Sequence, residues 1–176
     1  MGKNEIEKKV CVVLAMHGAP PIGYPPQDIM ELMGLHQRLH TASGEEKDRL
    51  RLRHDELEEN VRRWPRTPKN DPFHSASLTM AGDLAKELGT DVFLGYNEFC
   101  APAIEEAVAQ AVSQGMRKIV VITPMMTPGG EHAEKDIPAA LNKARERFPD
   151  IEILYAWPFP REDVAGFLSS QIRRFL

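Results

Sequence analysis

Cysteine, surplus positive charge and long apolar runs are all scarce in this chain, and each scarcity narrows what it can be. The two cysteines, Cys11 and Cys100, are far apart and lie in apolar or strand-edge surroundings. Reduced, partly buried thiols are therefore expected rather than a disulfide or a zinc knuckle. The formal net charge is -4, from 22 Lys and Arg against 26 Asp and Glu. A nucleic-acid partner, which needs a basic surplus to neutralise phosphates, is not expected. The first apolar run, Val10 to Met16, follows a polar start and is too short for a membrane span or a signal peptide. No membrane partner is expected, and a cytoplasmic location is.

What is present reads as a folded α/β chain. Hydrophobic residues make up 42% and charged residues 27% of 176 residues, which suits one domain spanning the whole chain. Val10 to Met16 is a continuous, β-branched apolar stretch of the kind covered on both faces in a parallel sheet. Asp91 to Tyr96, Lys118 to Thr123 and Ile151 to Ala156 read the same way. Helical patterns separate them at Ser75 to Leu88, Ala103 to Gln114, Glu134 to Phe148 and Val164 to Phe175. Strand and helix alternate, so the expected fold is a flavodoxin-like parallel sheet of about four strands flanked by helices.

The segment from about residue 22 to 72 does not fit that alternation and reads as an insertion. Asp28 to His40 and Glu45 to Trp64 both carry helical apolar stripes. Thr41 to Gly44 breaks them, with Ser43 as a candidate N-cap and Glu46 as its capping-box partner. A helical hairpin is expected there.

In parallel sheets, ligands gather at the carboxyl ends of the strands. That rule selects His17, Glu98 and the loop from Thr123 to His132. His17 leaves an apolar strand just before Gly18, and His132 follows Pro128-Gly129-Gly130. Two imidazoles on one sheet edge suit an open site for divalent cobalt, nickel, iron or zinc, although satisfied loop histidines explain the same spacing. The glycine pair also admits an anion site, but no P-loop lysine or serine accompanies it.

Three further blocks carry a more specific signal: Gly95 to Ala107 (GYNEFCAPAIEEA), Gly115 to Pro124 (GMRKIVVITP) and Gly130 to Pro138 (GEHAEKDIP). Together with His17-Gly18 they resemble the CbiX-type sirohydrochlorin chelatases, small members of the class II chelatases. The resemblance implies a chelatase-like fold and insertion of a divalent cation, cobalt, nickel or iron, into a sirohydrochlorin-like tetrapyrrole. The metal is then a substrate, and no organic cofactor is implied. Position by position, it implies that His17 and His132 are the paired metal-binding and catalytic histidines, with Glu98 as the acidic residue of the same cleft. It also implies a homodimer. Ala19-Pro20-Pro21 stands where the family usually has a serine after His-Gly, which leaves a non-catalytic metal or tetrapyrrole carrier as the alternative.

The other candidates are weighed on their own residues. Arg62, Arg63, Arg66 and Lys69 form the notable basic cluster, and the three arginines are candidate clamps for substrate carboxylates, against ordinary pairing of Arg62 and Arg63 with Glu58 and Glu59. His74, at a helix start, is a further candidate at the substrate cleft. His36 and His40 share a helix face and are expected to be solvated, whereas His54 lies on an apolar stripe and is expected to pack. Glu98 has a second explanation as a helix-terminal carboxylate, and Asp136 reads mainly as a cap of the helix that follows it, with orientation of His132 as the lesser alternative.

Overall fold

Residues 9–39 and 41–176 are described by the structure, a computed structural model. His40 and the polar start through Lys8 lie outside the described residues; of the two histidines expected on a solvated helix face, His36 is described and is exposed.

Four parallel strands form the sheet: β1 (Val10–Met16), β2 (Val92–Tyr96), β3 (Lys118–Ile122) and β4 (Glu152–Tyr155), in the order β2-β1-β3-β4. The continuous apolar run of β1 conceals an alternation. Cys11, Val13 and Ala15 join one buried cluster, while Leu14 and Met16 join another on the opposite face. A strand buried on both faces needs apolar residues at every position, which is why no two-residue period shows in its sequence.

The helices on one face are α4 (Ile104–Ser113) and α5 (Ile137–Arg147), and their residues Ile104, Ala107, Val108, Ile137 and Leu141 close the larger core. On the other face lies α3 (Pro72–Leu88), started by Asp71, whose side chain accepts from the His74 amide at 2.8 Å. The last helix, α6 (Arg161–Ile172), buries none of its residues.

The insertion is a helical hairpin of α1 (Pro26–Leu39) and α2 (Gly44–Arg62). Leu32, Leu35, Leu50, Leu57 and Val61 give it an apolar core of its own. Ser43 is at the N-cap of α2, but its side chain makes no cap bond, and Glu46 pairs with Arg38 at 3.1 Å. The expected capping box is therefore absent. Arg38, in the last turn of the preceding helix, offers Glu46 a charge instead of a backbone amide.

Because β1 is flanked by β2 on one side and β3 on the other, the chain direction switches at its carboxyl end. Crevices of parallel sheets open at such a point, and His17, Glu98 and His132 all follow strands that end there.

Candidate functional site

Three loops meet at this rim. His17 directly follows β1, and backbone bonds tie its surroundings to the loop after β2: the Asn97 amide donates to Met16 O and the Glu98 amide to His17 O, both at 2.8 Å. Gly18 makes this approach possible. It has φ +95°, and a Cβ there would stand 1.9 Å from the Glu98 carbonyl oxygen. Phe99 also takes a positive φ of 57°, a strained value for a residue with a side chain.

His132 begins a single π-helical turn, His132–Asp136, that runs into α5. The amide of Ile137 donates back to the His132 carbonyl, which is the wide-turn bond. Single π turns inside helices are frequent at functional sites. This one places the Asp136 carboxylate 2.7 Å from His132 Nδ1.

The tautomers follow from the partners. His17 Nδ1 is 2.7 Å from the Gly18 carbonyl, which can only accept, so the proton sits on Nδ1. By the same logic His132 Nδ1 donates to Asp136. Asn97 Nδ2, itself a donor, lies 2.8 Å from that nitrogen, so the acceptor that holds the His132 proton is the Asp136 carboxylate. Both Nε2 atoms are then lone-pair acceptors, and they face each other at 3.1 Å with the rings nearly perpendicular.

Two such lone pairs repel unless a proton or a cation lies between them. Nitrogens about 2.0–2.1 Å from one ion stand about 2.9–3.4 Å apart over octahedral to tetrahedral angles, so the observed gap fits a shared ion. Glu98 Oε1 is 3.7 Å from His132 Nε2, and the ligand atoms of His17, Glu98 and His132 all fall within 4.8 Å of one another. Three protein ligands leave coordination positions open for an incoming donor.

Asp136 accepts from His132 and makes no cap bond to the following helix, so the capping role expected of it is corrected. The i, i+4 spacing of His132 and Asp136 was the sequence signal for this contact. Nothing in the sequence singled out Asn97 apart from its position beside Glu98. Nor does Glu98 cap α4, because Glu106 accepts from the Ala103 amide at 2.8 Å and fills that role.

Carboxylates behind metal-binding histidines typically account for about 10–100-fold in affinity. Asp136→Asn is therefore expected to weaken cobalt binding at His17 and His132 by about that factor in a dialysis titration. The side chain is 42% exposed, so the unfolding temperature should barely change. An unaltered cobalt affinity would show that Asp136 does not set the His132 tautomer.

The arginine clamp needs correction. The Arg62 guanidinium donates to the Asn97 carbonyl at 2.6 Å, to Cys100 O at 2.9 Å and to Glu58 at 2.7 Å. Arg66 pairs with buried Asp71 and donates to the carbonyls of Ala19, Val61 and Phe99. Neither has the free fork that a substrate carboxylate needs. Their charge serves to staple the hairpin onto the loop that carries Asn97 and Glu98. Arg63 is exposed and pairs with Glu59 and Glu106.

His74 does not join the cluster of His17, Glu98 and His132 but lines a separate cavity beside β2. Its Nδ1 accepts from the Tyr96 hydroxyl at 2.6 Å. Burial holds its pKa below the usual imidazole range and raises that of Tyr96, which keeps the phenol as the donor. Cys11 and Cys100 are free and buried, and burial pushes the Cys11 thiol up to about 11, so it is unreactive at neutral pH. The amide of Gly129 donates to Glu134 at 2.7 Å. A carboxylate of the chain itself thus takes the place considered for an external anion.

A cavity of about 790 Å³ opens between the hairpin and the starts of α4 and α5, and Asn97, Glu98 and Asp136 form part of its wall. No helix among the described residues is long and apolar enough to cross a membrane.

The chain is similar to several known proteins. It is 36% identical over 62 residues to a sirohydrochlorin ferrochelatase of Priestia megaterium, a match covering 35% of this chain and 23% of the relative. It is 33% identical over 72 residues to a sirohydrochlorin cobaltochelatase of Methanopyrus kandleri, covering 40% of this chain and 50% of the relative. The matches thus span half or less of these relatives' own lengths. A solved protein of Marinobacter aquaeolei VT8, provisionally named as a CbiX protein of cobalamin (vitamin B12) biosynthesis, superposes with a TM-score of 0.54. That superposition is at 13% identity and covers 94% of both chains, which shows the shared fold. The CbiX family model matches residues 70–174, more than half of the sequence and including Glu98 and His132. On that match, the chain belongs to the CbiX family.

Proposed function

We propose that this chain is a metal chelatase inserting a divalent cation, cobalt, nickel or iron, into a sirohydrochlorin-like tetrapyrrole, with the ion as substrate. The observation that carries the reading is the facing pair of Nε2 atoms of His17 and His132, 3.1 Å apart. The relatives named above as sirohydrochlorin chelatases support it.

The residue types suit the reaction. Metal insertion requires the ion to shed waters, the macrocycle to bend and two pyrrole protons to leave. Imidazole is a borderline ligand for these ions, and a site with few protein ligands holds the cation without trapping it. Glu98 adds a negative charge for the incoming dication and an acceptor for a departing pyrrole proton. The Nε2 lone pairs take over that acceptor role as the ion moves to the ring. Asp136 and the Gly18 carbonyl hold the tautomers that keep those lone pairs on the cleft side.

Arg62 and Arg66 are spent on backbone carbonyls, so recognition of the macrocycle's carboxylates falls to other cations. A homodimer is in keeping with α6, whose Phe167, Leu168 and Ile172 are exposed.

The test is to mix the protein with sirohydrochlorin and cobalt(II) and follow the visible spectrum. Many equivalents of metallated product per chain are expected. His17→Ala and His132→Ala should each slow turnover at least about 10²-fold, the usual scale for a lost proton-transfer group. A carrier would stop at one equivalent, and that result would reject catalysis.

A further inference from the structure

The cavity that Glu98 lines has a second wall, built by the inserted hairpin, and two residues of a second set of ligand atoms, His54 and Glu58, lie on it. Nδ1 of His54 is 3.2 Å from Asp55 Oδ1 and 3.7 Å from Glu58 Oε2. All three ligand atoms fall within 4.8 Å of one another. His54 and Glu58 are four residues apart on α2, so both project from one helix face, and both line the cavity that Glu98 lines from the other side.

We propose that His54, Asp55 and Glu58 form a second, loosely held divalent-cation station, from which the ion passes to Glu98, the member of the His17–Glu98–His132 cluster that lines the same cavity. Several features make this face suitable. The His54 side chain is 14% exposed. Glu58 is oriented by Arg62, which takes Oε1 at 2.7 Å and leaves Oε2 toward His54. The ring of His36 on α1 stands 5.8 Å from that of His54, a second imidazole across the hairpin. The hairpin core keeps α1 and α2 together, and Arg53 clamps Glu31 across them with two bonds of 2.8 and 2.9 Å.

The charge of the cavity favours the same occupant. Among the described residues its lining carries six carboxylates against the three cations Arg51, Arg62 and Lys143, and Arg63 at its edge pairs with Glu59 and Glu106, which leaves a surplus of two negative charges. A cleft with a surplus of negative charge concentrates dications and raises their rate of capture. Mixed imidazole and carboxylate ligands suit cobalt, nickel, iron or zinc. The neighbouring Arg62 guanidinium opposes tight binding, so the ion exchanges readily. A staging position requires that property.

The ion's destination rests on the chelatase reading, whereas its binding at the hairpin does not and is tested by equilibrium dialysis of the full chain against cobalt(II), without any tetrapyrrole. His17→Ala/His132→Ala is expected to retain one equivalent of cobalt, and addition of His54→Gln and Asp55→Asn is expected to abolish it. In the His17→Ala/His132→Ala chain, cobalt should also broaden the His54 ring proton resonances before those of the other histidines. Far-ultraviolet circular dichroism checks that each variant is folded. The proposal is overturned if His17→Ala/His132→Ala binds no cobalt, or if its cobalt survives the hairpin substitutions. If the unaltered chain binds one equivalent that depends on His54 and Asp55 alone, the station stands and the His17–His132 centre fails.

Discussion

Gly18→Ala is expected to force His17 and Glu98 apart and to destabilise the chain by about 3–5 kcal/mol, combining backbone strain at positive φ with overpacking. For a chain of this size that corresponds to a fall of about 6–20 °C in the unfolding midpoint. The new methyl carbon would lie 1.9 Å from the Glu98 oxygen and 3.0 Å from its carbonyl carbon. Those atoms are backbone, so no side-chain rotation relieves the clash. The loop can move only by breaking the bond from the Glu98 amide to His17 O, and Glu98 then leaves the two imidazoles. Cobalt affinity at the site should fall in the same variant. A Gly18→Ala chain that unfolds at the parental temperature would show that strand and loop do not approach this closely.

The second large effect belongs to a residue whose charge suggested substrate binding. Arg66 and Asp71 have side chains only 7% and 1% exposed. Arg66→Met leaves the Asp71 carboxylate buried without its cation, and removes the donor shared by the carbonyls of Ala19, Val61 and Phe99. Breaking a buried pair in this way costs about 3–5 kcal/mol. Urea or thermal unfolding should register the loss, and Arg66→Met/Asp71→Asn should recover part of it because the stranded charge is gone. If Arg66 clamped substrate instead, the single variant would keep its stability and lose only affinity for the tetrapyrrole. The two measurements separate those roles.

The hairpin shows how local and tertiary information divide. Its helices are legible because Ile29, Leu32, Met33 and Leu39, then Leu50, Leu57 and Val61, recur at helical spacing, a property of short stretches of chain, although Met33 proves exposed. Its attachment is not legible. Arg62 and Arg66 look like any basic helix end until the Asn97, Phe99 and Cys100 carbonyls are brought beneath them from β2, and backbone carbonyls leave no trace in a sequence. Phe99 completes the contact by packing against the hairpin core. His54 illustrates the same limit. Its place on an apolar stripe was visible, but the cavity on that side of the helix exists only because α4 and α5 stand opposite.

The sequence alone determined the four strands, the helices between them, the inserted hairpin and the positions of His17, Glu98 and His132 at strand ends. All of these depend on periodicity and on neighbours close along the chain. Only the tertiary structure decided that β1 is central, that a π turn aims Asp136 at His132, and that two Nε2 lone pairs meet at 3.1 Å. Those outcomes depend on groups up to 115 residues apart meeting in space, and the distance between such groups is set by packing rather than by spacing along the chain.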